Sequence, residues 1–220
     1  MYTVQCDFDD TIIIGNLSTA LRNAFALEGW QDIEAQYAAG QLTVEESNRR
    51  QFALVKASKE ELQEYASQMV IVRPGFQEFA DYCRRVGIGF TIVSSGLDLY
   101  IEPVLGKLDL LDLEMYSGHG RVTDDGIAVD YTDPWGVDCQ EGFKLACLRY
   151  LRQRGQPIIY IGDGLSDIAP AIEADYVIAR DSLREHFRRM SLHHFSFETF
   201  HDVRQIAEDY IVGRDNSVTT

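Results

Sequence analysis

Asp7 and Asp9 stand two residues apart at the end of the apolar stretch Val4-Gln5-Cys6-Asp7-Phe8-Asp9-Asp10-Thr11. While a chain stays extended, residues two apart share one face. Two carboxylates about 4 Å apart repel by about 4 kcal/mol at a surface-like effective dielectric. A fold keeps such a pair when a cation lies between them or when one of them holds a proton. The chemistry open to the pair is cation binding, nucleophilic attack by a carboxylate, or general acid–base work. A strand closed by a plain acidic turn would use the same residues.

Three further groups follow in order. Ser94-Ser95-Gly96 ends a β-rich run, Lys144 lies early in a helical pattern, and Gly162-Asp163-Gly164-Leu165-Ser166-Asp167 follows a strong strand pattern. Each has a plain alternative. Ser94 alone is a turn residue, Lys144 alone a solvated lysine, and Asp163 and Asp167 alone are loop acids. Asp10 reads as pointing away from the acidic pair, Thr11 as a turn cap, and Lys107 as a competitor to Lys144 in a less fitting place. Arg49 and Arg50 are candidates for an anionic group, or else solvate a helix.

The elements that must position these groups alternate between two periods. Tyr2–Phe8, Ile88–Val93, Pro157–Ile161 and Tyr176–Ala179 read as strands, with shorter ones at Leu113–Ser117 and Phe195–Phe197. Val122–Tyr131 alternates around Asp125-Gly126, a hairpin signal. Helical stripes run through Phe76, Phe79, Ala80 and Cys83, then Tyr100, Ile101 and Val104, with Pro103 near the first turn or at a kink. Later stripes hold Phe143, Cys147 and Leu151, and then Phe200, Val203 and Ile206; the tail, 214–220, reads as frayed.

Residues 15–72 look helical throughout. Leu17, Ala20, Leu21, Ala24 and Phe25 make one stripe, and Thr43 with Glu46 and Ser58 with Glu61 have capping-box spacing. The fold class expected is α/β, a doubly wound, Rossmann-like parallel sheet with an inserted helical cap. The core is assigned to 1–14 and 73–220, and the cap to 15–72. In such sheets ligands bind at the carboxyl ends of the strands, near the switch in strand order. That rule gathers Asp7, Asp9, Ser94, Ser95, Asp163 and Asp167 at one edge.

Composition excludes several function classes. The 220 residues are 45% hydrophobic and 25% charged, as in ordinary globular proteins. Twenty Lys+Arg against 35 Asp+Glu give a net charge of -15, which argues against nucleic-acid and anionic-membrane partners. No apolar run approaches a membrane span, and the N-terminus carries no signal-peptide pattern. Cys6, Cys83, Cys139 and Cys147 form no C-x-x-C pair and read as free thiols, which places the chain in the cytoplasm. The five histidines form no metal pattern; Trp30 reads as packing, and Trp135 as packing or as a pocket rim.

The four groups in this order resemble the four motifs of the haloacid dehalogenase superfamily. The likeness is to the phosphoserine phosphatase-like branch, whose helical cap lies between the first and second motifs. It covers nearly the whole chain. It implies that Asp7 is the nucleophile, attacking phosphorus to give an aspartyl phosphate, and that Asp9 is the general acid and base. It implies Mg2+ held by the Asp7 carboxylate, the Asp9 backbone carbonyl and Asp163, with Asp167 holding a metal-bound water or orienting a ligand. Ser94, the amides near Ser95 and Gly96, and Lys144 would bind the phosphoryl oxygens.

Phosphoserine phosphatases carry a Glu shortly after the first motif, whereas Ile12-Ile13-Ile14-Gly15-Asn16 has no acid. Val72-Arg73-Pro74-Gly75-Phe76, Ser94-Ser95-Gly96-Leu97 and Ala179-Arg180-Asp181-Ser182-Leu183 look closer to the phosphatases of 2-hydroxy-3-keto-5-methylthiopentenyl-1-phosphate in methionine salvage. The expected partner is therefore a small phosphorylated metabolite, and a homodimer is left open. The alternatives are a phosphoserine phosphatase, a phosphomutase of the same branch, or a non-enzymatic phospho-acceptor of the receiver type. A dehalogenase has no use for the acid at Asp9. A receiver is shorter and has no cap.

Overall fold

The computed structural model describes residues 1–212. Its strands are β1 (Thr3–Cys6), β2 (Gly89–Leu97), β3 (Glu114–Thr123), β4 (Gly126–Asp130), β5 (Ile158–Gly162), β6 (Tyr176–Ala179) and β7 (Phe195–Ser196). They form one sheet in the order β4-β3-β2-β1-β5-β6-β7. Every neighbouring pair is parallel except β3 with β4. All four residues of β1 are buried, because the strand is bonded to β2 on one side and β5 on the other. The chain therefore winds outward from β1 in both directions, and the switch in strand order falls where β1 ends and Asp7 begins.

Ten helices surround the sheet among the described residues. Four precede β2's own helix: α1 (Leu17–Phe25), α2 (Trp30–Ala38), α3 (Val44–Phe52) and α4 (Lys59–Met69). The rest are α5 (Phe76–Val86), α6 (Asp98–Lys107), α7 (Phe143–Arg152), α8 (Ile168–Glu173), α9 (Asp181–Arg189) and α10 (Phe200–Ile206). Period-two alternation gives the sheet two apolar faces. Ile159 and Ile161 join Val4, Cys6, Phe76 and Phe200 in one core. Ile158 and Tyr160 point the other way, against Leu148, Leu151 and Phe187. On the first face Phe76 meets Phe200 edge to face at 5.1 Å.

The excursion through α1–α4 starts and ends at one place, where Ile13 and Val72 form an antiparallel bridge. Ser58 and Glu61 complete a capping box at the start of α4, and Thr43 caps α3 through the Glu46 N–H. Both signals were readable as spacing. The stripe assigned to α1 needs correcting: Arg22 is buried there, and Ala24 is exposed.

Two strands differ from expectation. Leu113–Ser117 and the first arm of the hairpin are one strand, β3, which pairs parallel with β2 and then antiparallel with β4. A change of partner within one strand leaves no single alternation to read. Strand β2 also runs on to Leu97, through a bulge. Its register with β3 steps from Val93↔Tyr116 to Leu97↔Gly118, so Ser94-Ser95-Gly96 stand against Ser117 alone and two residues are extra. Bulges re-aim side chains beside sites. Pro103 lies inside α6, not in its first turn. The tail expected to fray, 214–220, lies outside the described residues.

The β3–β4 hairpin touches the end of α3 through Gly126. Its φ is +126°, and a Cβ there would lie 2.1 Å from the Ala53 carbonyl oxygen. Gly126→Ala is expected to destabilise the protein by about 2–3 kcal/mol, from backbone strain plus the clash. Urea unfolding measures it; a loss under about 0.5 kcal/mol would show that α3 and the hairpin separate freely.

Candidate active site

The carboxyl ends of β1 and β5 bring Asp7, Asp163 and Asp167 together, with one carboxylate oxygen of each within 4.8 Å of the others. Lys144, at the start of α7, reaches between two of them. Its Nζ lies 2.7 Å from Asp7 Oδ1 and 2.7 Å from Asp167 Oδ1. Above them opens a cavity of about 190 Å³, lined by Asp7, Asp9, Ser94, Lys144 and Asp163, with Ser95 and Gly96 beside Ser94. Asp167 is fully buried underneath.

Asp167 is saturated by its neighbours. Oδ1 accepts from Lys144 and from the Tyr160 hydroxyl at 2.6 Å; Oδ2 accepts from the N–H groups of Asp163 and Gly164 at 2.9 and 2.8 Å. It shapes the loop after β5 and holds the lysine in place. Asp163 is oriented by Thr11, whose hydroxyl donates to Oδ1 at 2.8 Å. Thr11 is held in turn by Arg73, whose Nε donates to the Thr11 carbonyl at 2.7 Å and whose Nη2 donates to that of Asp10 at 2.6 Å. Asp10 takes a left-handed φ of 55°, bending the chain out of β1.

Asp9 sits on the cavity wall between two donors. The Leu17 N–H reaches Oδ1 at 2.8 Å, and the Tyr100 hydroxyl reaches Oδ2 at 3.0 Å. Gly96 makes the second bond possible, since a Cβ there would lie 2.1 Å from the Tyr100 hydroxyl. The bulge itself is tied from α3: Asn48 Nδ2 donates to the Ser95 carbonyl at 2.7 Å, and the Tyr131 hydroxyl donates to the same oxygen at 2.6 Å. Ser94 Oγ accepts the Gly96 N–H at 3.0 Å, while the Ser95 hydroxyl is buried without a partner. On α3, Glu45 accepts the Phe143 N–H at 2.9 Å, at the start of the helix that carries Lys144.

Electrostatics follow from burial. Burial raises the Asp7 carboxyl above the ordinary range; Lys144 pulls against this and Asp167 adds to it. Burial also raises Asp163, helped by Asp7 and Asp167. Asp9 is pushed up to about 6 by burial, against the Leu17 N–H and the Tyr100 hydroxyl. Burial disfavours the Lys144 ammonium, but Asp167 and Asp7 outweigh it and raise the lysine well above its usual value. Three acids with one lysine between them are short of positive charge. The three acids are all hard oxygen donors, so the donor set fits a hard divalent cation.

All eight residues singled out in the sequence meet at this edge. Other candidates lie elsewhere. Lys107 bonds the Ser67 carbonyl, Arg50 pairs with Glu46, and Arg49 donates to the Cys139 carbonyl at 2.9 Å. Trp135 packs edge-on against Tyr150, and the four cysteines are buried free thiols. Among the described residues no histidine joins a metal-competent cluster, and no helix is long and apolar enough to cross a membrane. Sequence spacing gave no hint of the bonds that Thr11, Tyr100 and Asn48 make to partners far along the chain, nor of the buried Tyr160 and Arg22.

The profile of the haloacid dehalogenase-like hydrolases matches residues 4–171. A protein of Brevibacillus brevis named 2-hydroxy-3-keto-5-methylthiopentenyl-1-phosphate phosphatase is 33% identical over 92% of this chain and 93% of its own. One of the same name from Geobacillus thermodenitrificans is 32% identical over 90% and 91%. Among solved structures, a phosphoserine phosphatase with a phospho-aspartyl intermediate analogue superposes with a TM-score of 0.68 at 19% identity, covering 94% of this chain and 97% of that one. A phosphoserine phosphohydrolase-like protein from Francisella tularensis gives 0.71 at 19% identity, over 94% and 99%. At that identity the structural likeness speaks for the fold alone.

Proposed function

The chain belongs to the haloacid dehalogenase-like hydrolases and is a phosphomonoester hydrolase, and from that premise we propose that it is a magnesium-dependent phosphatase of 2-hydroxy-3-keto-5-methylthiopentenyl-1-phosphate or a close relative of that metabolite. The observation that carries this is the meeting of Asp7, Asp163 and Asp167 within 4.8 Å, with Lys144 bonded to Asp7 at 2.7 Å. The relatives' names supply the substrate.

Asp7 attacks phosphorus, and the ester oxygen leaves with the electrons of the broken bond. Asp9 gives that oxygen its proton. In the second step Asp9 takes a proton from water, which attacks the phosphorus of the aspartyl phosphate and frees the Asp7 carboxylate. Asp9 at about 6 can do both near neutral pH. Ser94, Ser95 and Lys144 line the cavity where the phosphoryl oxygens would lie. Asp7, Asp163 and the Asp9 carbonyl would hold Mg2+, with Asp167 holding Lys144 and the Asp163 loop in place beside it. When bound, the ion supplies charge neutralisation for the phosphoryl group. Residues 15–72 are proposed as a cap, whose α1–α3 close the outer cavity wall and exclude water. Four free thiols suit a reducing compartment, so the cytoplasm is the proposed location.

Turnover tests the substrate. With Mg2+, kcat/KM on the methionine-salvage ester is expected to exceed that on phosphoserine by at least about tenfold, a difference of about 1.4 kcal/mol. The reverse order would overturn the substrate assignment.

The acids also predict a pH dependence. Asp7, Asp9 and Asp163 keep their protons to higher pH in the folded than in the unfolded chain. Below about pH 4 both states are protonated and these groups cost nothing. As pH rises through the raised folded values, the unfolded chain ionises first and the metal-free protein loses stability. A divalent cation favours the ionised forms and releases those protons. Magnesium is therefore expected to raise Tm more at pH 8 than at pH 5. Equal or smaller gains at pH 8 would contradict a cation site at these acids.

A further inference from the structure

Arg22 lies on α1, is only 4% exposed, and lines the same cavity as Asp7, Asp9 and Asp163. Helical side chains lean toward the helix N-terminus. Arg22 does so: Nη1 donates to Ser18 Oγ at 2.8 Å and Nη2 to Thr19 Oγ1 at 3.0 Å. The guanidinium therefore lies over the first turn of α1, beside Leu17, whose N–H holds Asp9 at 2.8 Å. Trp30 and Phe52 fix its plane, with ring centroids 5.3 and 5.6 Å away.

The charge is poorly answered by the protein. Glu34 Oε2 is 3.7 Å from Nη2, too far for a hydrogen bond, and instead accepts from Gln51 Nε2 at 2.8 Å. Nε is buried with no partner. Lys144, the other cation lining the cavity, is already bonded to Asp7 and Asp167. A buried cation without a bonded acid is costly, and a ligand that completes it recovers the cost.

We propose that Arg22 reads the leaving group, donating to a hydroxyl or ketone oxygen on the carbons next to the phosphoester. This rests on the phosphatase reading and narrows it to oxygenated phosphate esters. Asp9 meets the ester oxygen, and the guanidinium sits within a helical turn of Asp9's own anchor, so the oxygen it reaches is close to the bond that breaks. The methionine-salvage ester carries a hydroxyl on the carbon beside the ester carbon and a ketone on the next. A planar, permanently charged fork suits two such neighbouring oxygens.

Hydroxyacetone phosphate and n-propyl phosphate differ in the ketone and match in length. The ratio of their kcat/KM values is the readout. The intact enzyme is expected to prefer the ketone, and Arg22→Met to reduce that preference at least tenfold. Arg22→Lys should keep part of it. Glu34→Gln, which removes the negative charge 3.7 Å from Nη2, should raise the preference at least twofold and serves if Arg22→Met does not fold. A folded Arg22→Met with an unchanged ratio, or a Glu34→Gln ratio that is unchanged or lower, would overturn the assignment to Arg22. Hydrolysis of neither ester by the intact enzyme with magnesium would instead defeat the phosphatase reading itself.

Discussion

Asp7→Asn is expected to lower turnover of any phosphate ester by about 10⁴-fold or more, because an amide cannot form the covalent phosphoryl intermediate. The fold should not suffer. Asp7 is buried against Asp167, and its ionised form is disfavoured there. A neutral isostere relieves that repulsion, and Lys144 keeps its 2.7 Å bond to Asp167. Metal-free Tm at pH 8 should therefore stay level or rise. Loss of activity with no loss of stability distinguishes a chemical role from a structural one. Activity within tenfold of the parent would remove Asp7 as nucleophile.

Lys144→Met strikes both properties at once. Removing the ammonium leaves Asp7 and Asp167 facing each other, one 6% and the other 0% exposed, with no counter-charge. Breaking a buried pair in this way costs about 3–5 kcal/mol. Turnover should fall by about 10³-fold or more, since the cation beside the phosphoryl group goes too. Adding Asp167→Asn to Lys144→Met should recover part of the stability and none of the turnover. Denaturant unfolding and steady-state kinetics on p-nitrophenyl phosphate separate the two effects. Recovery of turnover in the double variant would mean that Lys144 acts only as a structural ion pair.

Much of the molecule was legible because its signals are local. Tyr176–Ala179 was read with its observed bounds, and the caps at Thr43 and Ser58 follow from spacing alone. Asp7, Asp9 and Asp163 stood out because they follow buried strands, whereas Lys144, on α7, stood out only by its order among the four motifs of the resemblance. What escaped depends on packing or on partners far along the chain. Arg22 was passed over because a charged residue next to an apolar stripe normally faces water; Ser18, Thr19, Trp30 and Phe52 keep it inside. Thr11 was taken for a turn cap, and its bond to Asp163 spans 152 residues. The bulge at Ser94–Gly96 read as a strand end, since register against β3 is written in two distant segments.

Trapping the intermediate tests the central claim most directly. The enzyme is mixed with magnesium and substrate, quenched in acid within one turnover, and treated with borohydride, which reduces an acyl phosphate to the alcohol. Peptide mass spectrometry should then find homoserine in place of aspartate at position 7 and nowhere else. Homoserine at another acid, or none while phosphate is released, would contradict a covalent phosphoryl group on Asp7.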